Sequence, residues 1–290
     1  MDFETLRSEM QTIVDHRRFL ENFVLPDYQQ LCISNIASVA GKAFSISSLQ
    51  KSNLPENYLD NLRGVEKVLL IVLDGLGYNR ILAHTKKYMS SFYNLADHGT
   101  LHPLTSTFPS TTSTALTSIF TALPPSEHGI IGFNMFMQAY GLIINTLDMR
   151  SVYGFGHGLD FAEDFSKDIY PWLSTLTDHG IKTQMLTRRN LVGSGLSKVI
   201  HKHQNLCGYA LVSDLFMLIR KLLEQPGPMF ICAYYGGIDT VEHTYGPYSE
   251  ESTAEIRTIE NLLKETVFDR LPFEVKANTL LVITADHGVV

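Results

Sequence analysis

The feature that most constrains the fold of this chain is a set of short apolar runs that each end at turn residues. The first, residues 67–73, reads KVLLIVL and is followed by Asp74 and Gly75. Runs of this length that lack strict alternation of apolar and polar residues are typical of parallel strands buried on both faces. The sequence predicts four buried strands, at residues 67–73, 181–187, 229–235 and 279–285.

Helical patterns of apolar residues separate these runs. Strands that alternate with helices indicate a doubly wound α/β fold, in which a mostly parallel sheet carries helices on both faces. In such a fold, ligands bind in the crevice at the carboxyl ends of the strands. The predicted helices are residues 88–97, 112–122, 168–179, 211–224 and 251–266.

The N-terminal part of the chain departs from this pattern. Residues 1–25 carry apolar residues at mixed three- and four-residue steps, which predicts a helix that ends before Pro26. Residues 27–60 are interpreted as a short helical lead-in. The predicted parts of the chain are a helical lead-in at residues 1–65, an α/β domain at residues 66–290 and, inside that domain, a candidate cap insertion at residues 134–170.

Composition excludes several classes of protein. Of the 290 residues, 44% are apolar, which excludes global disorder. A net charge of −7 and the lack of a Lys/Arg run argue against binding to a nucleic-acid backbone. No segment resembles a signal peptide or a membrane span, so we expect no membrane partner and a cytoplasmic location. Three distant cysteines, Cys32, Cys207 and Cys232, fit free thiols in a reduced compartment.

The tripeptide Asp-His-Gly occurs three times, and its context differs between the copies. At residues 97–99 and 178–180 it follows a helical pattern, which is typical of a helix C-terminus that ends on a left-handed Gly. At residues 286–288 it follows a predicted strand, so its side chains are expected at the carboxyl edge of the sheet. The third copy is therefore a candidate functional motif, whereas the first two are interpreted as structural.

Acidic residues follow three of the four predicted strands. Asp74, Asp239 and Asp286 lie there, with His287 beside Asp286 and with His243 four residues after Asp239. A spacing of four places Asp239 and His243 on one face of a helical turn. Carboxylate oxygens and imidazole nitrogens suit Zn²⁺ or Mn²⁺, and carboxylates packed together repel one another unless a cation neutralises them. The sequence therefore predicts a metal centre at this edge.

A Thr- and Ser-rich segment, residues 105–122, runs into small residues with helical spacing. Its helix is expected to start near Ser110 or Thr111. A hydroxyl at a helix N-terminus lies in a positive potential among free backbone N–H groups, which together form an anion site. Such a hydroxyl can instead serve only as an N-cap, and the pattern leaves both roles open for Ser110, Thr111 and Thr112.

These segments resemble the alkaline phosphatase superfamily, in particular its type I phosphodiesterase/nucleotide pyrophosphatase-like branch. The resemblance implies an alkaline phosphatase-like α/β fold and a hydrolase that cleaves phosphodiester or pyrophosphate bonds in a small-molecule phosphate ester. It also implies two divalent metal ions, Zn²⁺ first and Mn²⁺ as the alternative. The matching segments, in the family's order, are residues 67–77, 107–133, 236–247 and 279–288.

The same resemblance implies the metal ligands. Asp74, Asp286 and His287 would hold one ion, which would also contact the nucleophile, and Asp239, His243 and a further His would hold the other. In the family, the sheet and the last His lie beyond the position of residue 290, so the chain is expected to lack the C-terminal part of the fold. Three other histidines lie in predicted loops without this context: His157, His201 and His203.

The family motif leaves the nucleophile open among three threonines. A match that keeps Pro two residues downstream selects Thr107, and a match that keeps the helix length selects Thr112, nine residues before Thr121. Because the helix fixes the hydroxyl relative to the sheet, Thr112 is the first choice, Thr107 the second and Thr111 the third. Asn134 is expected to help hold the non-bridging phosphate oxygens.

Several alternatives stay open at this point. One is a phosphomonoesterase, phosphonate hydrolase or phosphomutase on the same fold. Another is a metal-binding domain without catalysis. Sulfatase chemistry is disfavoured, since it needs a Cys or Ser converted to formylglycine and the nearest Cys to the threonine segment is Cys32. The His128-Gly129 turn is interpreted as structural.

Overall fold

The structure is a computed structural model that describes residues 3–20, 23–50, 54–59, 62, 64–88, 92, 99–156, 159–167, 169–193, 195–202 and 204–289. Its main element is a five-stranded sheet, beside which lie a two-stranded and a three-stranded sheet. The strands are β1 (Arg18–Leu20), β2 (Phe23–Val24), β3 (Lys67–Leu73), β4 (Asn134–Met137), β5 (Leu142–Asn145), β6 (Arg150–Ser151), β7 (Lys182–Arg188), β8 (Leu206–Tyr209), β9 (Met229–Tyr235) and β10 (Thr279–Thr284).

Helices connect these strands and cover the main sheet. A π-helical turn, Leu263–Phe268, extends the longest helix of the C-terminal half, and 3₁₀ turns lie at Ile33–Asn35, Ser47–Leu49, Glu56–Tyr58 and Arg189–Leu191. The helices are α1 (Phe3–Arg17), α2 (Ala37–Ala43), α3 (Tyr78–Tyr88), α4 (Thr112–Thr121), α5 (Pro125–His128), α6 (Phe161–Ser166), α7 (Leu173–Asp178), α8 (Gly195–Ile200), α9 (Val212–Leu223), α10 (Gly237–Tyr245), α11 (Glu250–Leu262) and α12 (Phe273–Ala277).

The main sheet is parallel throughout, with the order β10-β3-β9-β7-β8. The four predicted strands match β3, β7, β9 and β10 to within one residue at each end. The predicted helices at residues 112–122, 211–224 and 251–266 match α4, α9 and α11 with its π-helical extension. The doubly wound α/β prediction is therefore confirmed.

Strand β3 shows why this sheet needs helices on both faces. All seven of its residues are buried. Val68, Leu70 and Val72 point into a core that also contains residues of α2, α4 and α7, whereas the alternate residues point into a second core with α9 and α11. A strand buried on both faces favours apolar residues at every position, and this explains the continuous apolar sequence of β3 after Lys67 at its start.

The register of the sheet brings three strand ends together. Leu73 of β3 pairs with Tyr235 of β9, and Val72 pairs with Thr284 of β10. Parallel neighbours lie about 4.8 Å apart. The residues that follow β10, β3 and β9 therefore meet at one edge.

The predicted helix at residues 1–25 is wrong after Arg17. Helix α1 ends at Arg17, and the β1–β2 hairpin follows, closed by the hydrogen bond from the Leu25 N–H to the Arg17 carbonyl (2.8 Å). Phe19, Phe23 and Val24 are aromatic or β-branched, and residues of these types favour strands. Residues 27–60 contain α2 and 3₁₀ turns.

One further helix prediction needs correction, and another falls mostly outside the described residues. The predicted helix at residues 168–179 is shorter, because α7 begins only at Leu173 and Pro171 disfavours a helical residue before it. Most of the predicted helix at residues 88–97 lies outside the described residues, and α3 already begins at Tyr78.

Two elements carry no clear sequence signal. Strand β8 has only four residues and extends the sheet beyond β7. The candidate cap, residues 134–170, contains the antiparallel β4–β5–β6 sheet and α6.

Of the two Asp-His-Gly copies that were predicted to end helices, the structure confirms one. The second Asp-His-Gly copy closes α7 with Gly180 at φ +77°, as predicted, whereas Asp97 and His98 lie outside the described residues. No helix in the described part of the chain is long and apolar enough to cross a membrane. The three cysteines are free thiols in the structure.

Candidate metal centre

Two buried carboxyl groups lie at the carboxyl ends of β3 and β10. Asp74 and Asp286 are 3% and 0% exposed. One oxygen of Asp286, Oδ1, accepts hydrogen bonds from the N–H groups of Gly75 (3.2 Å) and His287 (2.8 Å). Asp74 Oδ1 and Asp286 Oδ2 are buried and accept no hydrogen bond from the described residues. Two carboxylate oxygens are thus buried at this edge without a hydrogen bond from the described residues.

Helix α10 brings a third carboxylate and an imidazole to the same edge. Asp239 Oδ1 lies 3.3 Å from His243 Nε2, one helical turn away. The approach of α10 to the end of β3 depends on Gly75, which has φ +79°. A Cβ at Gly75 would lie 3.1 Å from both Cα and Cβ of Asp239, so a larger residue would push α10 away.

The imidazole of His287 joins these groups. Its Nε2 lies 3.3 Å from Asp74 Oδ1 and 3.6 Å from Asp286 Oδ2. One potential ligand atom from each of Asp74, Asp239 and His287 lies within 4.8 Å of the other two. This set of oxygen and nitrogen donors fits a divalent cation such as Zn²⁺ or Mn²⁺.

The electrostatics of the carboxyl groups agree with that fit. Burial, together with the charge of Asp286, raises the pKa of Asp74 to about 8. Burial also raises the pKa of Asp286 to about 6. A bound cation would stabilise the ionised forms and reverse the direction of both shifts.

The predicted nucleophile Thr112 is the first residue of α4, and its hydroxyl reaches the same group of side chains. Its Oγ1 lies 3.3 Å from His287 Nε2. Thr111 is the N-cap residue, and its hydroxyl contacts Thr114 Oγ1 at 3.0 Å. The Thr107 hydroxyl donates to the Pro109 carbonyl at 2.9 Å. The structure thus brings Thr112 to His287, and it places the hydroxyls of the two alternatives in local contacts.

Comparisons with known proteins address the family directly. The family model described as type I phosphodiesterase / nucleotide pyrophosphatase matches residues 68–290. The chain belongs to this family. A comparison with curated proteins found no significant match.

Solved structures share the fold of this family member. Murine ectonucleotide pyrophosphatase/phosphodiesterase 5 is 19% identical, with a TM-score of 0.57 over 77% of this chain and 57% of that one. Phosphonoacetate hydrolase from Sinorhizobium meliloti 1021, in complex with phosphonoformate, is 18% identical, with a TM-score of 0.52 over 76% of this chain and 55% of that one. The chain therefore spans a little over half the length of these two relatives.

His128, in the turn after α4, makes two hydrogen bonds within the protein. His128 is buried, its Nδ1 accepts from the Ile130 N–H (3.1 Å), and its Nε2 lies 2.9 Å from Ser118 Oγ on α4. Because Nδ1 is an acceptor, Nε2 carries the proton and donates to Ser118. Burial lowers the pKa of His128 to about 4, so the ring stays neutral near pH 7.

Asn134 opens strand β4 and is exposed, opposite Asn145 in β5. The start of the cap is held near α4 by Thr146, whose Oγ1 lies 2.7 Å from both Ser113 Oγ and the Gly132 carbonyl. Asn134 thus follows Gly132 by two residues, and the Gly132 carbonyl lies 3.4 Å from Ser113 Oγ in the first turn of α4.

Of the three other histidines, only His201 is described, and it does not belong to the group of candidate ligands in the described part of the chain. His201 follows α8, is buried and lies edge-on to the Phe120 ring. His157 and His203 lie outside the described residues.

Sequence reasoning missed one polar neighbour of the centre. The hydroxyl of Tyr234, near the end of β9, donates to Asp74 Oδ2. Burial raises the pKa of Tyr234 well above its usual range, so the hydroxyl stays protonated. The sequence does carry one hint of this role. Tyr234 is an aromatic residue with a polar hydroxyl, it lies one residue before the end of a buried strand, and it shares a strand face with Cys232.

Proposed function

We propose that this chain is a metal-dependent hydrolase of phosphate esters that cleaves phosphodiester or pyrophosphate bonds through Thr112. The observation that carries the proposal is the 3.3 Å approach of the Thr112 hydroxyl to His287, at an edge where Asp74 and Asp239 also offer ligand atoms. A hydroxyl at the start of a helix and beside a cation site is placed to attack phosphorus.

Two metal ions are part of the proposal. Asp74, Asp286 and His287 would hold the first, and Asp239 and His243 would contribute to the second. The buried oxygens without hydrogen-bond donors and the raised pKa values of Asp74 and Asp286 support a cation site. Such ions lower the pKa of an attacking hydroxyl and stabilise the leaving oxygen of an in-line displacement.

The chain's own residues would then divide the chemistry between them. Thr112 Oγ1 loses its proton to solvent and forms a bond to phosphorus while the alcohol or phosphate on the opposite side leaves with the electrons of the broken P–O bond. Water then cleaves the phosphothreonine and regenerates the hydroxyl. The N–H groups at the start of α4 would hold the non-bridging oxygens, with help from Asn134.

The names of the structural relatives support this substrate class. The murine relative has also been solved as an inactive variant, with one threonine replaced by alanine, in complex with AMP. The phosphonoacetate hydrolase holds phosphonoformate or phosphonoacetate. These ligands are small molecules with a phosphate or phosphonate group, which is the class proposed for this chain.

The test compares Thr112→Ala with Thr111→Ala and Thr107→Ala, using bis-4-nitrophenyl phosphate with Zn²⁺ or Mn²⁺. Loss of a nucleophile removes the covalent route, so kcat for Thr112→Ala should fall by roughly 10³-fold or more. The two controls should keep most of the wild-type kcat, because their hydroxyls make only local contacts.

Full turnover by Thr112→Ala would reject Thr112 as the nucleophile. The preference for diesters has its own measurement, which is the ratio of kcat/KM for the bis-ester to that for 4-nitrophenyl phosphate. A ratio below one would favour a phosphomonoesterase, and release of phosphate from phosphonoacetate would favour a phosphonate hydrolase.

A further inference from the structure

The direction in which Asp239 and His243 point is set by how α10 is held. Ile238 and Glu242 are four residues apart and form the buried face of this helix, at 0% and 3% exposed. Asp239 and His243 follow them by one residue each, so they occupy the neighbouring face about 100° further round. A rotation or shift of the buried face therefore moves both candidate ligands together.

Glu242 is the polar half of that buried face. Its Oε1 accepts a hydrogen bond from Ser252 Oγ of α11 at 2.6 Å and lies 3.6 Å from Arg80 Nε of α3. Arg80 is 8% exposed. The carboxylate of α10 thus lies between a cation from α3 and a hydroxyl from α11.

Arg80 also fixes the segment that leaves α10. Its Nη2 donates to Ser252 Oγ (3.2 Å) and Thr253 Oγ1 (3.0 Å), and its guanidinium lies 5.2 Å from the centre of the Tyr248 ring. One guanidinium therefore contacts both α10 and α11, as well as the loop between them. The planar, multidentate donor geometry of Arg suits this role, which a Lys cannot fill completely.

We propose that the buried Arg80–Glu242 pair is a positioning device that orients α10, so that Asp239 and His243 present their ligand atoms to the second metal ion. This inference rests on the proposed two-metal function. Movement of either residue would leave the charge of the other buried without a partner, which is unfavourable. The pair therefore fixes the position of α10 relative to α3. Neither residue belongs to the group of candidate ligands formed by Asp74, Asp239 and His287, so we infer that both act through α10.

The chain offers a matched control for this proposal. His84 of α3 and Glu260 of α11 form a second buried polar contact, with His84 Nε2 at 2.9 Å from Glu260 Oε2. This pair joins the same two helices but does not include a residue of α10. Glu260→Gln should therefore disturb the packing of α3 against α11 without changing how α10 presents its ligands.

The experiment titrates Zn²⁺ into the metal-free chain by calorimetry, for the wild type, Glu242→Gln and Glu260→Gln, and measures the Tm of each metal-free protein. Both variants should lower the Tm. Only Glu242→Gln should weaken the second Zn²⁺-binding step, by about 10- to 100-fold, as removal of a residue that orients a ligand does elsewhere. The first step should keep its Kd.

Arg80→Lys provides a second variant if Glu242→Gln does not fold. It keeps the positive charge and loses the paired donors, so the second Zn²⁺ step should weaken by less than in Glu242→Gln. Wild-type-like binding of both ions by Glu242→Gln or by Arg80→Lys, or equal weakening in Glu260→Gln, would overturn the positioning role. A wild-type chain that binds no Zn²⁺ would instead contradict the proposed metal centre and this inference with it.

Discussion

At the residue scale, the ionised carboxyl groups of Asp74 and Asp286 lower the free energy of unfolding of the metal-free protein. Their pKa values are raised to about 8 and about 6, chiefly by burial. At these two groups the folded state therefore binds more protons than the unfolded state between about pH 4 and pH 8, so their contribution to the free energy of unfolding falls as pH rises through this range. Below about pH 6.5, the lowered pKa of the buried His128 contributes in the opposite direction. Most of the fall above pH 6 should come from Asp74.

Asp74→Asn tests this directly. The substitution removes the buried charge, so it should raise the Tm of the metal-free protein at pH 8 by several degrees, at about 2–4 °C per kcal/mol for a chain of this size. It should also flatten the decline in Tm between pH 6 and pH 8. Thermal unfolding in EDTA, monitored by circular dichroism, measures both effects.

Asp178→Asn serves as the control for that experiment, because Asp178 is an exposed acid in another copy of Asp-His-Gly. Its pH profile should match the wild type. An unchanged decline in Asp74→Asn would show that the pH dependence has another origin.

Some of the residues at this edge of the sheet could be predicted from the sequence, and one contact could not. Asp74, Asp286 and His287 could be found because each directly follows a strand that is recognisable by its apolar run. The hydrogen bond from Tyr234 to Asp74 could not be found this way, since it depends on the register between β3 and β9. Contacts across a sheet are fixed by pairing, and pairing leaves no local pattern in either strand.

At the scale of elements, the close approach of the segments that follow β3 and β10 requires two glycines. A Cβ on Gly77 would lie only 2.7 Å from the Gly288 Cα, which means that the two backbones are in direct contact. Both glycines lie in segments that resemble the family, but their mutual contact follows only from the parallel pairing of β3 with β10.

Gly77→Ala should therefore push the segment after β10 away from β3. Because Asp286 and His287 lie in that segment, we expect Zn²⁺ affinity to fall by at least about tenfold, as it does when ligand orientation is lost. Zinc calorimetry on the folded variant measures this. Gly132→Ala is the matched control, since an added Cβ there would meet nothing closer than 3.6 Å. Equal Zn²⁺ affinity in both variants would contradict the proposed role of this contact.

Elements with a long periodic pattern were predictable, and short or interrupted ones were not. Helix α6 is an example of the second kind. Its start is marked only by Asp160, whose side chain accepts a hydrogen bond from the Glu163 N–H. That N-cap signal lies in a segment whose aromatic residues mask any helical period. Strand β8 is too short for a period of two to stand out, and it forms only because β7 offers a free edge.

At the scale of the whole molecule, the candidate site is a consequence of topology. Residues more than 200 positions apart, Asp74 and Asp286, meet because β3 and β10 are neighbours in a parallel sheet. Alternation of strands and helices predicted the parallel sheet, and strand ends predicted the edge at which the candidate metal ligands meet. The strand order was not predictable, since each buried strand has a similar apolar sequence and could occupy any central position.

The whole molecule should also report metal binding through its stability. A cation that binds only the folded state stabilises it by about 2.7 kcal/mol when its concentration is 100 times Kd, which corresponds to a Tm increase of about 5–10 °C. Mn²⁺ is the better probe, because thiols of the unfolded chain bind it weakly and would reduce the effect of Zn²⁺. The increase should be larger at pH 8 than at pH 5, where protons compete for Asp74 and Asp286. The double variant Asp74→Asn/Asp239→Asn should show no increase, and a wild-type Tm that does not respond to Mn²⁺ or Zn²⁺ at pH 8 would contradict the metal centre.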